Sequence, residues 1–225
     1  MKKKRKSNPL WNQFEPRSPF LLQGFPHEPC GRCLFFAHSY KEIFHTVILM
    51  KQSIIQENNK MEKKALVGIL MGSESDLPVM KKAAEVLTAM GVVFEMDISS
   101  AHRLPDKTAE YARSARERGI EVLIAGAGMA AHLAGVIASH TTLPVIGVPL
   151  ASGALNGQDA LHATVQMPPG VPVATVAIDG AKNSAYLACS ILSIKYPELA
   201  ERLDQFRENT RKSLLEKSAQ LQQSL

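Results

Sequence analysis

In the stretch "SSAHRLPDKT", Ser99 to Thr108, a histidine and an arginine stand side by side behind two serines, directly after an apolar run. Arginine is a bidentate clamp for phosphate or carboxylate, and imidazole is the side chain best suited to move protons near neutral pH. His102 and Arg103 therefore read as an acid/base beside an anion holder, with Ser100 supplying a hydroxyl. A lone histidine is more often structural than catalytic, so the reading depends on two further loops. "MGSESD" offers Gly72 for close backbone approach, the hydroxyls of Ser73 and Ser75, and Asp76, ahead of a helix N-terminus that suits a phosphate. Ser75 and Asp76 serve equally well as ordinary helix caps, with Asp76 otherwise an acceptor for sugar hydroxyls. "AGAGMAAHLAG" places Gly126 and Gly128 before another helix, a backbone-amide cradle with small side chains that leave room for a planar group. His132, inside that helix, reads as a packed or capping residue rather than a base, and His162 as structural.

Apolar runs alternate with helical patterns from Ala65 onward, and they position these loops. The strands are "ALVGILM", "VVFEMDI", "IEVLIAGAG", "LPVIGVPL" and "VPVATVAI". Between them "LPVMKKAAEVLTAMG", "TAEYARSARERG", "AAHLAGVIASH" and "DALHATVQM" have helical spacing, and "NSAYLACSILSIKY" follows the last strand. Continuous apolar strands separated by helices predict a parallel sheet covered on both faces, an α/β fold. In such sheets ligands bind beyond the carboxyl ends of the strands, where all three loops fall. From Pro197 to Leu225 a charged amphipathic helix carries Leu199, Leu203, Phe206, Leu214 and Leu215, suited either to packing on its own domain or to a subunit contact.

The 225-residue chain has a net charge of +5, but ten of its lysines and arginines and only four acids lie in residues 1–60. The basic surplus thus belongs to that stretch, and the remainder is close to neutral, with no electrostatic face for nucleic acid. Residues 1–60 are proline-punctuated and lack sustained periodicity; they are expected to be an irregular extension outside the functional unit, which begins near Met61. "KKKRK" matches a nuclear-localisation pattern of low specificity, and the segment has no apolar core of a secretory signal. Its "CGRC", Cys30 and Cys33, is a lone pair without a partner motif, so it argues weakly for metal or redox chemistry, and Cys189 lies in an apolar helical pattern. No run reaches membrane-spanning length, and the expected chain is cytoplasmic with no membrane partner. There is no P-loop, no GxSxG elbow, no HExxH and no metal-ligand cluster, which disfavours nucleotide hydrolysis, serine-hydrolase chemistry and zinc catalysis. The loops after the first three strands contain no aromatic residue to stack a flavin, and no acid follows the third strand as a phosphoacceptor, which counts against a flavodoxin-like binding module.

The motifs "MGSESD", "SAHR", "AGAGMAAHLAG", "LPVIGVP", "NGQDAL", "VQMPPGVPVATVAI" and "AKNSAYLACSIL" occur in an order and spacing that resembles the PurE family in its class I form, from about Lys64 to Leu214. The resemblance implies a flavodoxin-like three-layer α/β/α sandwich, assembled as a homo-octamer with sites shared between subunits. It implies a mutase of purine biosynthesis that moves a carboxyl group from the exocyclic nitrogen of an aminoimidazole ribonucleotide to its ring carbon, with no metal or organic cofactor. The resemblance further implies that the carboxyl group is released as CO2 in a closed pocket and added again at carbon, whose proton passes to a histidine. By matching positions, Ser73, Ser75, Asp76 and Arg103 are expected to bind nucleotide, Ser100 and His102 to act in catalysis, and Gly126, Ala127, Gly128, Met129, Ala130 and Ala131 to form the carboxylate loop. Two residues depart from the family's usual loop: Met129 stands for a glycine and Ala134 for a proline. Relatives that use free CO2 on the unmodified aminoimidazole usually have lysine after the histidine, so Arg103 favours the mutase.

Overall fold

The structure is a computed structural model that describes residues 64–224. The expectations for residues 1–60, with "KKKRK" and Cys30 and Cys33, lie outside the described residues. Five strands form one all-parallel sheet: β1 (Val67–Met71), β2 (Phe94–Ile98), β3 (Val122–Gly128), β4 (Val145–Leu150) and β5 (Ala174–Thr175), in the order β2-β1-β3-β4-β5. This is the flavodoxin-like strand order, and the chain direction across the sheet reverses between β1 and β3.

The helices are α1 (Leu77–Ala89), α2 (Pro105–Arg118), α3 (Leu133–His140), α4 (Gln158–Val165), α5 (Ala181–Leu192) and α6 (Pro197–Ser224). Alternation along each strand sorts the core into two layers. Val67, Ile69, Met71, Ile124, Ile146 and Val148 meet Met80, Ala83 and Leu87 of α1 and Ala185, Ala188 and Cys189 of α5. On the other face Leu70, Leu123, Ala125 and Val145 meet Ala112 and Ala115 of α2 and Leu133, Ala134 and Ile137 of α3. Because β1, β3 and β4 are covered on both faces, they read as unbroken apolar runs, and all five residues of β1 are buried.

The boundaries differ from the sequence expectation in instructive places. α2 begins at Pro105 rather than Thr108, because proline at the first helical position loses no hydrogen bond. It ends at Gly119, whose φ of 98° supplies the left-handed cap. α3 begins at Leu133, so His132 is its N-cap residue instead of lying inside it. β5 is reduced to two residues, paired with Ile146 and Gly147, and Pro172 ahead of it has no ladder donor. α6 packs its first turns through Leu199 and Leu203, both buried, and through Phe206 stacked on Tyr186 at 4.6 Å. Its later residues Leu214, Leu215 and Leu221 are all more than half exposed. No helix among the described residues is long and apolar enough to cross a membrane.

Candidate active site

Three loops converge beyond the carboxyl ends of β1, β2 and β3, at the switch point of the sheet, and line a cleft of about 470 Å³. The first is fixed by its own hydrogen bonds. Asp76 Oδ2 accepts from the Ser73 amide at 2.9 Å, while Ser73 Oγ accepts from the Ser75 amide at 3.3 Å and from the Ser75 hydroxyl at 3.0 Å. This reciprocal cap opens a one-turn 3-10 segment, Glu74–Asp76, which leads into α1. The capping role of these residues is thus real, and all three side chains also face the cleft. Burial pushes the Asp76 carboxyl above its ordinary range, opposed by the Ser73 and Gly72 amides, the Ser75 hydroxyl and the Arg103 charge.

The second loop is pinned from below. Ser99 is fully buried; its amide extends the β1–β2 ladder to the Met71 carbonyl at 2.8 Å, and its hydroxyl meets Thr108 Oγ1 at 2.8 Å. Thr108 spends its own proton on the Leu104 carbonyl at 3.0 Å, so Ser99 is the donor of the pair. The two ends of "SSAHRLPDKT" are therefore tied together, and residues 100–103 are presented outward. Arg103 is held without being neutralised: Nη2 donates to the Gly72 carbonyl at 2.8 Å and Nε donates to Ser100 Oγ at 3.3 Å. No carboxylate pairs with it among the described residues, which leaves a fixed guanidinium available to an anion.

The third loop turns sharply after β3. Met129 holds a left-handed φ of 54°, and the Ala131 and His132 amides fold back onto the Met129 and Ala130 carbonyls at 2.9 and 2.8 Å. The Met129 and Ala130 amides have no backbone acceptor among the described residues. Met129 is 59% exposed, and its side chain lies by Gly153 at the lining of the cleft. Ala134 is buried in the α3 core.

The cleft unites Ser73, Ser75, Asp76, Ser100, His102, Arg103, Ala127, Gly128, Met129 and Ala130. Gly126 and Ala131 are not on its surface. β3 runs through Gly126 as a ladder residue opposite Met71 and Val148, against the Met80 sulfur, and Ala131 is buried behind the turn. Sequence reasoning missed two functional candidates, His132 and Ser152, which also line the cleft. His102 Nε2 and His132 Nδ1 are 2.9 Å apart, and the rings meet edge to face at 5.0 Å. His132 makes no capping hydrogen bond of its own and is exposed, so its one partner in the described residues is the other imidazole. The signal was its place in a glycine-rich loop at a strand end. His162 lies elsewhere, on α4. No group of three or more His, Cys, Asp or Glu among the described residues could hold a metal ion.

A parallel sheet of order 2-1-3-4-5, with a tethered guanidinium, hydroxyls and paired imidazoles meeting in a cleft at its switch point, defines a flavodoxin-like protein. The sequence profile of the AIR carboxylase family matches residues 66–213. The chain belongs to that family, the PurE family. It is 60% identical over 157 residues to the N5-carboxyaminoimidazole ribonucleotide mutase of Thermotoga maritima, covering 70% of this chain and 92% of that one. The mutase of the same name from Pyrococcus horikoshii is 60% identical over 161 residues, covering 72% and 91%. The crystal structure of Treponema denticola PurE superposes with a TM-score of 0.65 at 28% identity, covering 70% of this chain and 98% of that one.

Proposed function

We propose that this chain is an N5-carboxyaminoimidazole ribonucleotide mutase, an isomerase of purine (IMP) biosynthesis. The observation that carries the reading is the meeting, in one cleft, of the Ser73–Asp76 turn, the tethered guanidinium of Arg103 and the contact of His102 with His132. The names of the relatives supply the substrate. Its phosphate is held by Arg103 and the Ser73 and Ser75 hydroxyls, and its ribose hydroxyls by Asp76. Its carboxyl group sits on the amides of Met129 and Ala130, in the turn that follows Ala127 and Gly128 and closes on Ala131. Ser100 acts by fixing Arg103, from which it accepts two hydrogen bonds.

His102 carries the proton. Protonated, it gives its proton to the exocyclic nitrogen as the bond from that nitrogen to the carboxyl carbon breaks, which leaves CO2 and a neutral imidazole. The ring carbon then attacks CO2, a carbon–carbon bond forms, and the hydrogen on that carbon leaves as a proton to His102. One proton goes out and one returns, so the balance calls for no oxidant, metal or organic cofactor. The nitrogen facing His132 shares a single proton along a 2.9 Å line, so substrate either uses a remaining ring nitrogen or displaces that contact. General acid–base action of this kind contributes roughly 10²- to 10⁴-fold.

The functional unit on this reading is residues 61–225, which include the C-terminal helix 197–225, and the stretch 1–60 lies outside it. Subunits assemble as a homo-octamer in the cytoplasm, and the exposed leucines of α6 supply part of the contact. The family description also favours a second reading, a carboxylase that adds free CO2 to the unmodified aminoimidazole; Arg103, where such relatives usually carry lysine, weighs against it. The test is conversion of the N-carboxylated ribonucleotide to its carbon-carboxylated isomer without ATP, in the full chain and in His102→Asn. Turnover in the first and its near-complete loss in the second is expected. Turnover only with the unmodified ribonucleotide and bicarbonate would establish the carboxylase instead.

A further inference from the structure

Ser152 is assigned to no task by the reading above, yet the fold takes trouble to place it. The register pairs Gly128 with Leu150 at the carboxyl ends of β3 and β4. Two residues on, the chain turns back so that the Ser152 hydroxyl occupies the space where a side chain at position 128 would begin. A Cβ on Gly128 would stand 2.3 Å from Ser152 Oγ and 3.2 Å from Ser152 Cβ. The turn is braced from the far side: the Ala151 amide donates to Asp179 Oδ1 at 3.0 Å, and the Asp179 amide donates to the Pro149 carbonyl at 2.9 Å. Asp179 holds a φ of 57° to do this, a conformation a non-glycine residue adopts only when its surroundings demand it. The neighbouring Ser152 hydroxyl, by contrast, has no hydrogen-bond partner among the described residues, although it lines the cleft.

We propose that Ser152 is a substrate-selecting residue, whose hydroxyl donates a hydrogen bond to the carboxylate of the carboxylated ribonucleotide. The inference rests on the functional reading given above. Its geometry follows from covalent order: the unpartnered amides of Met129 and Ala130 come directly after Gly128, so a carboxylate seated on them lies beside the hydroxyl that covers Gly128. A neutral donor suits this place, because it adds a charge-assisted hydrogen bond without a fixed cation that would hold the migrating group in one position. It also reads the presence of the carboxyl group, which the phosphate and ribose contacts do not.

The experiment is calorimetric binding of two ribonucleotides, the carbon-carboxylated aminoimidazole and its uncarboxylated counterpart, to the full chain and to Ser152→Ala. Affinity for the carboxylated ligand is expected to fall roughly ten- to a hundredfold, the range for a hydrogen bond to a charged group, while affinity for the uncarboxylated one stays within about twofold. Equal losses for both ligands, or no loss for either, would overturn the assignment. Ser152→Cys keeps the volume and weakens the donor, so it gives the same selective loss if Ser152→Ala folds poorly. A parent chain that binds neither ribonucleotide would overturn the functional reading and this one with it; a parent that binds both, with the variants unchanged, would overturn this one alone.

Discussion

Gly128→Ala tests the packing on which the carboxyl end of β3 depends. Gly128 is not in the left-handed region, so alanine suits its backbone and the cost comes from contact alone. The new methyl would stand 2.3 Å from Ser152 Oγ, 3.2 Å from Ser152 Cβ and 3.3 Å from the Leu150 carbonyl oxygen. Rotation about χ1 removes the first clash, but the other two persist, and the Ser152 turn is braced by Asp179. Overpacking of this kind costs about 1–3 kcal/mol, and a half-buried loop neighbour places it towards the lower end. For a cooperative unit of roughly 160 residues each kcal/mol lowers Tm by about 2–4 °C, so a drop of about 3–8 °C is expected. The measurement is urea or thermal denaturation of Gly128→Ala, Ser152→Gly and the double variant, at one protein concentration because self-association would shift the midpoint. In the double variant the methyl takes the vacated space, and more than half of the loss returns, a coupling above about 0.5 kcal/mol. Strict additivity, or a Gly128→Ala chain as stable as the parent, would refute the contact and remove the support for Ser152.

Gly147→Ala is expected to destabilise more than Gly126→Ala, by about 3 against about 1.5 kcal/mol in urea, although both methyls would meet an atom at 2.3 Å. The difference lies in what they meet: the stiff β-branched Thr164 and Val173 in the first case, the adaptable thioether of Met80 in the second. Met129→Gly relieves a left-handed φ but frees the unfolded chain, so a net gain of under about 1 kcal/mol in denaturation is expected, whereas Met129→Val should lose stability. Because burial raises the Asp76 carboxyl in the fold, that group's contribution is greatest below its unfolded value and declines as pH rises through the folded one. Asp76→Asn, which can still accept from the Ser73 amide, should therefore gain on the parent in denaturation midpoint as pH climbs from about 3.8 towards neutrality, while ribonucleotide affinity falls. His132→Asn should lower kcat by about ten- to a hundredfold with KM changed less than about threefold, and should alter the pH–rate profile, which a merely structural residue would leave in place.

The architecture was legible because the strands are buried on both faces. Runs such as "ALVGILM" and "LPVIGVPL" admit no other placement when helices separate them, and the right-handed crossover rule limits how such units can wind. The edges were less legible. β5 is two residues long in the fold although "VPVATVAI" has strand composition, because edge pairing depends on which amides find a partner and not on side-chain type. The start of α2 was misplaced for a related reason: Pro105 looks like a breaker in a loop, yet at the first helical turn it is a starter, and the buried Ser99–Thr108 bond behind it has no sequence signature.

In the candidate site, residues that act with their neighbours in sequence were legible, and residues that act across the sheet were not. Ser73, Ser75 and Asp76 form a three-residue unit, and Arg103 is anchored by Ser100 next door, so spacing alone exposed them. His132 reaches His102 across thirty positions, and Ser152 reaches Gly128 only because β3 and β4 pair in the register that sets Gly128 opposite Leu150. The same dependence explains why Gly126 looked like part of the cradle. In "AGAGM" the two glycines are alike by type and share one face of β3, so only position along the strand separates them: the first meets Met80 inside the α1 layer, and the second meets the Ser152 hydroxyl at the mouth of the cleft. Glycine is demanded at both places by close approach, and only the partner that approaches decides which of them bears on a ligand.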